Sequence, residues 1–194
     1  MTSNDGMEKE LRRQIEQLVP LTDEEFQHVL SHFSTRRFKK NQYLIQAGDL
    51  APNDFFVAKG LLKSSFSDES GKEHIVQFAM EQWWISDPQA FNLNQKATLD
   101  VYSLEDTVTF YIIQEKREKL CSDMHKMEYF FRKKAQAGYI ALQRRIISLM
   151  SQTAKERYEQ FLLLYPALLP RVPKSLIASY LGITRETLSR LGKN

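Results

Sequence analysis

The stretch ITRETLSR, residues 183–190, carries four polar side chains of the types that recognise nucleic-acid bases. Arginines such as Arg185 and Arg190 can form two parallel hydrogen bonds with O6 and N7 of guanine, and a glutamate such as Glu186 can accept one from N4 of cytosine. Ser189 can contact several bases or a phosphate. On an isolated surface helix the same residues would only be solvated. The neighbouring residues therefore decide between base recognition and a solvent-exposed surface.

The neighbouring residues, 174–193, follow the pattern of a helix-turn-helix. The apolar positions of this pattern are Ile177, Ala178, Leu181, Ile183, Leu188 and Leu191. Gly182 stands where a tight turn between helices needs a positive φ angle, and Thr184 is a good N-cap for the second helix. The second helix of such a unit lies in the major groove of DNA. Arg185, Glu186, Ser189 and Arg190 are therefore predicted to read bases, and an ordinary helical hairpin is the alternative.

Two regions with other sequence patterns precede this segment, one helical and one rich in predicted strands. Residues 7–34 read as two short helices, with Leu11, Ile15 and Leu18 on the apolar side of the first and a capping box formed by Thr22 and Glu25 at the start of the second. From residue 36 to 113, short runs rich in aromatic and β-branched residues alternate with turns, including Ser70-Gly71, which is typical of a sandwich or barrel. The predicted fold class is α+β, with an N-terminal antiparallel, jelly-roll-like β-roll flanked by helices.

A long helix is predicted over residues 124–151, which contain no proline. Its apolar stripe comprises Met127, Phe131, Ala135, Gly138, Leu142, Ile146 and Leu149. Such a helix would be about 40 Å long, longer than a small sandwich is wide, so part of the stripe would have no partner within the chain. Small residues such as Ala135 and Gly138 would let a second helix approach. We expect a dimer seam here, and a core helix lying along the sandwich is the alternative.

Composition narrows the class of protein. The 194-residue chain has a net charge of +3, which permits binding to nucleic acid. Cys121 is the only cysteine, so an intrachain disulfide and a cysteine-held metal cluster are both excluded. An inert thiol is expected, with a redox sensor as the alternative. The N-terminus lacks the apolar core of a signal peptide, and no apolar run approaches the ~18 residues of a membrane span. We predict a cytoplasmic protein without membrane contact.

The order of these parts, together with the patterns R-E-T-x-x-R and E-x-x-S-R within residues 183–190, resembles the CRP/FNR transcription regulators. The resemblance covers nearly the whole chain and is to the divergent branch whose recognition helix closes the protein. It implies a homodimeric transcription regulator, not an enzyme, that binds a near-palindromic double-stranded operator. It also implies that Arg185, Glu186 and Arg190 read bases with help from Ser189, on a half-site containing TGA. RNA polymerase is a candidate partner.

The resemblance also suggests domain boundaries and phosphate contacts. The predicted parts are a cyclic-nucleotide-binding-like β-roll with N-terminal helices (1–121), a dimerisation helix (122–151) and a helix-turn-helix domain (152–194). The β-hairpin wing that follows the recognition helix in most of the family is not expected after it here. Phosphate contacts are therefore assigned to the residues Lys174, Ser175, Thr184 and Lys193.

The effector site departs from the family pattern. Members that bind cyclic AMP carry a Gly-Glu pair and a later Arg-Ser pair, which align here with Ser86-Asp87 and Ala97-Thr98. The arginine that would neutralise the phosphate is missing, and a buried phosphate without a cation is costly. We expect no cyclic AMP binding and no cofactor, with the effector unknown. The residues assigned to a candidate effector pocket are Trp84, Ser86, Asp87, Lys96 and Thr98.

Two other residue pairs give weaker evidence for a binding site. His28 and His32 have the i, i+4 spacing of metal ligands on a helix, but with no third ligand in the sequence pattern a solvated helix face is expected. Neighbouring Trp83 and Trp84 should face opposite sides of a strand, one in the core and one over the roll, or line an apolar effector pocket. The alternative function to DNA binding is a small-molecule sensor that acts through protein partners.

Overall fold

The computed structural model describes residues 4–51 and 53–192. The helices are α1 (Asn4–Glu16), α2 (Asp23–Ser31), α3 (Pro88–Leu93), α4 (Gln114–Asp123), α5 (His125–Ser151), α6 (Ala154–Leu164), α7 (Lys174–Leu181) and α8 (Arg185–Leu191), with a 3₁₀ turn at Pro166–Leu168. The strands are β1 (Ser34–Phe38), β2 (Tyr43–Ile45), β3 (Asn53–Lys59), β4 (Leu62–Ser67), β5 (Glu73–Ala79), β6 (Trp84–Ile85), β7 (Asp100–Ser103) and β8 (Thr107–Ile113).

The strands form two four-stranded sheets, in the orders β1-β8-β3-β6 and β2-β7-β4-β5. Strand β8 pairs antiparallel with both β1 and β3. Strands β4 and β5 are neighbours, and Gly71 in their connection has a φ of 80°. The hairpin predicted at Ser70-Gly71 and the antiparallel β-roll of an α+β protein are thereby confirmed.

Alternation along β3 separates two apolar layers. Phe55 and Val57 face the layer between the two sheets, whereas Phe56 faces a second layer formed by the helices on the outer side. Successive strand residues point to opposite faces, so one strand can supply both cores. Helices α1, α2 and the beginning of α5 cover the outer layer, where Leu11 and Ile15 are fully buried.

The two N-terminal helices agree with the sequence pattern except at one residue. Thr22 and Glu25 form the predicted capping box, with Glu25 N–H donating to the Thr22 hydroxyl at 3.2 Å. Leu18 was expected on the apolar side of the first helix, but its side chain is exposed. The expectation was wrong because α1 ends at Glu16, so Leu18 lies in the following turn and leaves the helical periodicity.

The chain divides into two compact units. The first is Met1–Ser64 with Gln77–Lys134, and the second is Ser65–Val76 with Ala135–Asn194. The second unit thus contains the tip of the β4–β5 hairpin, most of α5 and all of the later helices. The three-part division at residues 121 and 151 stays a prediction about roles. Among the described helices, none combines the length and apolar character needed to cross a bilayer.

Candidate nucleic-acid interface

Helices α7 and α8 are joined by the tight turn that the sequence predicted. Gly182 caps α7 with a φ of 66°, in the left-handed region that favours glycine. The N–H of Ile183 donates to the carbonyl of Ala178 at 3.0 Å, which satisfies a carbonyl that the helix end would leave free. The turn places the start of α8 close to the end of α7 and fixes the direction in which α8 leaves.

One side of α8 anchors it, and its first residue is capped. The Thr184 hydroxyl accepts a hydrogen bond from the N–H of Thr187 at 3.2 Å, which confirms Thr184 as the N-cap. Leu188 is buried, as are Ile177 and Leu181 of α7. Burying each of these leucine and isoleucine side chains stabilises the two-helix unit by about 1.5–3 kcal/mol, because apolar surface is removed from water.

The four candidate base-reading side chains lie together on the opposite side of α8. Arg185, Glu186, Ser189 and Arg190 are all exposed and line one shallow, open depression. Spacings of three and four residues place them on one helical face. In the described part of the chain, neither guanidinium forms an ion pair. As far as the described residues are concerned, the N–H groups of both arginines remain available to an external partner.

The candidate phosphate contacts are more dispersed. Lys174 and Ser175 are exposed in the first turn of α7. Thr184 is exposed as well, but its hydroxyl already serves as the N-cap of α8. Lys193 lies outside the described residues. The structure thus leaves Lys174 and Ser175 as the unengaged phosphate candidates within its described part.

Arg145 of α5 supports α7, a role that the sequence did not reveal. Its Nη2 donates to the carbonyls of Ile75 and Tyr180, both at 2.9 Å, and its guanidinium lies 3.7 Å from the centroid of the Tyr180 ring. Arg145 is not part of the apolar stripe that the sequence predicted for this helix. No sequence signal could have found this contact, because two of the three partners are backbone carbonyls and any residue type supplies those.

Arg157 of α6 makes a second contact of this kind. Its Nε donates to the carbonyl of Leu181 at 2.9 Å, and its Nη1 donates to the carbonyl of Gln152 at 2.6 Å. Leu181 is the last residue of α7, so Arg157 satisfies a carbonyl at the turn that leads into α8. A cation at a helix C-terminus is also favoured by the helix dipole.

In the first unit, Asp87 organises the candidate effector loop. Its carboxylate is fully buried and accepts from the N–H groups of Gln89 and Ala90, and from those of Thr98 and Leu99. The Thr98 hydroxyl adds a fifth hydrogen bond at 3.0 Å. Burial alone would raise the pKa of this carboxyl, but these hydrogen bonds, led by Ala90 N–H, outweigh it and lower the pKa. Asp87 is a fixed anion that uses the loop's amide donors itself.

The other effector candidates are only partly brought together. Ser86 adjoins Asp87 and is half-buried, whereas Lys96 is exposed two residues before Thr98. Trp84 is not part of this group. Ile85, its strand neighbour, faces the layer between the sheets, and Trp84 faces the outer layer beneath the helices. The pocket assignment of Trp84 therefore does not fit its position, because the strand pleat turns it to the other face of the sheet.

Trp84 lies instead in an aromatic cluster of the outer apolar layer. Its ring contacts the aromatic rings of Phe33, Phe56, Phe130 and Phe131. Its indole N–H donates to the side-chain oxygen of Gln14 at 2.6 Å. A buried tryptophan N–H needs such a partner, and α1 provides it.

Comparison with known proteins agrees with this architecture. Residues 35–124 match the family model of the cyclic nucleotide-binding domain. FixK2 from Bradyrhizobium japonicum superposes with a TM-score of 0.73 at 19% identity, over 83% of each chain. The c-di-GMP responsive global regulator CLP of Xanthomonas campestris gives a TM-score of 0.71 at 16% identity, over 89% of this chain and 90% of that one.

A third similar structure is that of a transcriptional regulator assigned to the CRP/FNR family, from Eubacterium rectale, with a TM-score of 0.68 at 15% identity, over 89% of this chain and 82% of that chain. The protein has the CRP/FNR fold. Its β-roll, long helix and terminal helices are the CRP/FNR parts in the CRP/FNR order, as the sequence resemblance predicted. No curated protein matches the sequence significantly.

Proposed function

We propose that this CRP/FNR-fold chain is a homodimeric transcription regulator that reads double-stranded DNA with α8. One observation carries the proposal: Arg185, Glu186, Ser189 and Arg190 share the exposed face of α8, while Leu188 anchors the opposite face in the second unit. Arginine and glutamate are the residue types that discriminate base edges in the major groove. The structural neighbours are transcription regulators, which favours this role over an enzyme.

Exposed apolar residues on α5 support the homodimer. The first turns of the helix are buried through Met127, Phe130 and Phe131. From Ala135 onward, large apolar side chains face solvent in the single chain; these are Tyr139, Ile140, Leu142, Ile146, Ile147, Leu149 and Met150. A continuous exposed apolar surface of this kind is typical of an interface. A second copy related by a two-fold axis would cover it and would require a near-palindromic operator with half-sites about 34 Å apart.

Cyclic AMP is not the proposed effector. The family arginine that would neutralise a cyclic phosphate is absent, and the carboxylate of Asp87 already uses the N–H groups of Ala90, Thr98 and Leu99. A second anion beside this buried charge would be repelled. No cofactor is proposed for this loop. A cytoplasmic location and a contact with RNA polymerase remain parts of the proposal that follow from the regulatory role.

The decisive experiment is selection from a random pool of duplex oligonucleotides, followed by mobility-shift assays at several salt concentrations. We expect an enriched two-fold symmetric motif, with a TGA-containing half-site, and an affinity that falls steeply with salt. Binding without an enriched motif, or no binding, would contradict the proposal. The latter result would favour a sensor that acts through protein partners.

A further inference from the structure

We propose that His28, His32 and Asp123 form a binding site for a divalent metal ion of the zinc class. The two histidines lie on α2, at and just beyond its last turn, and Asp123 is the last residue of α4. Their ligand atoms all lie within 4.8 Å of one another, and all three residues belong to the first compact unit. The fold thus supplies the third ligand that the sequence pattern of the two histidines lacked.

The hydrogen bonds of His32 favour the tautomer that leaves Nε2 available to a metal ion. Its Nδ1 lies 3.0 Å from the carbonyl oxygen of His28 and 3.3 Å from the hydroxyl of Ser31, which itself donates to that same carbonyl. A carbonyl oxygen can only accept, so Nδ1 carries the proton. The lone pair is then on Nε2, the atom left for a ligand. Metal-binding histidines characteristically donate their other N–H to a carbonyl or carboxylate in this way.

The distances admit a single ion among the three side chains. The Nε2 atom of His28 lies 4.0 Å from Oδ2 of Asp123. In a tetrahedral site, ligand bonds of about 2.0–2.2 Å place two donors on one zinc ion about 3.3–3.6 Å apart. A pair at the 4.8 Å limit therefore has to approach by about 1.2–1.5 Å, which rotation of the exposed His28 and Asp123 side chains supplies.

Lys119 forms an ion pair with the same carboxylate. Its Nζ lies 2.9 Å from Oδ2 and 3.2 Å from Oδ1 of Asp123, one helical turn later on α4. The Lys119 side chain is 69% exposed, so this pair is weak and can yield to a metal ion. Two imidazole nitrogens with one carboxylate oxygen suit zinc and its neighbours and not calcium or magnesium, which prefer oxygen-only sites.

The site should bind one ion per chain. Untagged protein, stripped with chelator and free of DNA, would be titrated with zinc chloride by calorimetry, with thermal unfolding followed in parallel. We expect one equivalent to bind and to raise the melting temperature, because an ion that binds only the folded state stabilises it. The assay needs no DNA, so its outcome is independent of the proposed regulatory function.

Variants assign the ligands. His28→Gln and His32→Gln should each weaken zinc binding by at least about tenfold, since removing a ligand costs no less than removing an outer-shell partner. Lys119→Gln should tighten binding by up to about fivefold by freeing Asp123. His74→Gln is the matched control because His74 pairs with Asp68 in the other unit. Circular dichroism would verify folding. Unchanged binding in folded His28→Gln and His32→Gln variants, or no binding by the native protein, would overturn the proposal.

Discussion

Ser179 of α7 is hydrogen-bonded to Ile75 of β5, the Ser179 hydroxyl accepting from the Ile75 N–H at 3.1 Å. The same hydroxyl donates to the carbonyl of Glu73 at 2.8 Å. Both backbone groups belong to the hairpin segment 65–76, which lies in the same compact unit as α7. One serine side chain therefore satisfies a donor and an acceptor of the hairpin and ties it to the helix that precedes α8.

Replacing this serine should loosen the second unit. Ser179→Ala leaves the N–H of Ile75 and the carbonyl of Glu73 without their partner, and we expect a decrease of about 1–3 kcal/mol in the free energy of unfolding. Denaturant titration would measure it, and hydrogen exchange should accelerate at the Ile75 amide. Ser175→Ala on the same helix, where the serine is exposed, should change stability by less than about 0.5 kcal/mol. Equal effects of the two substitutions would show that the hydrogen bonds contribute nothing.

Base reading and phosphate binding should separate in two variants. Arg190→Ala should relax the preference at one base pair of each half-site by about 1–3 kcal/mol. Lys174→Ala should weaken binding to all sequences alike and reduce the salt slope by about 0.9 for each phosphate that the protein no longer neutralises. Mobility shifts on operators with single base changes distinguish the two patterns. Uniform weakening by Arg190→Ala would mean that this residue binds phosphate and does not read a base.

A charge on the exposed face of α5 should prevent dimer formation. Ile146 is 57% exposed in the single chain, and an aspartate there would place an unpaired charge in the proposed interface, which is costly. We expect the mass from light scattering to fall from dimer to monomer for Ile146→Asp. Leu163→Asp, on α6, is the control because Leu163 is 80% exposed and not on α5. A native protein that stays monomeric when concentrated would refute the interface itself.

An ion pair in the first unit should be sensitive to the removal of either partner. Lys134 pairs with Asp54, whose side chain is only 4% exposed, and the Lys134 ammonium lies 4.0 Å from the centroid of the Trp84 ring. Lys134→Met leaves the buried carboxylate unpaired, and we expect a decrease of about 3 kcal/mol in the free energy of unfolding.

The double variant Lys134→Met with Asp54→Leu tests that explanation. It removes both charges, so we expect it to recover most of the stability, because an apolar replacement of a whole buried pair is often neutral. Denaturant titration of the two single variants and the double variant gives the coupling free energy. A double variant as unstable as the sum of the singles would show that packing, not charge, is responsible.

The thiol of Cys121 should react slowly with alkylating agents at neutral pH. Burial raises the pKa of this thiol to about 11, above the usual value of about 8.5. The reactive thiolate is therefore scarce at neutral and mildly alkaline pH. Alkylation by iodoacetamide should be at least about tenfold slower than that of a free cysteine at about pH 8 and should rise with pH up to about 11. Fast reaction at neutral pH would instead support the redox-sensor alternative.

Features that depend on neighbouring residues could be predicted from the sequence alone. The positive φ angle of Gly182, the caps at Thr22 and Thr184, and the exposed face shared by Arg185 and Arg190 all depend on residues within one or two turns of one another. The sequence patterns that predicted the strands and helices likewise depend on neighbouring residues. Periodicity and capping are properties of neighbouring residues, so the sequence by itself determined the α+β class, the helices and strands, and the candidate reading helix. The CRP/FNR arrangement was implied by resemblance to that family.

Only the tertiary structure decided which distant groups meet. The pleat of β6 turned Trp84 away from the loop that Asp87 occupies, and the hairpin brought Ile75 to Ser179. Helix α4 brought Asp123 to His28. These partners are separated along the chain, and several are backbone atoms that no residue type distinguishes. Such contacts follow from how whole elements pack together, which local pattern does not specify.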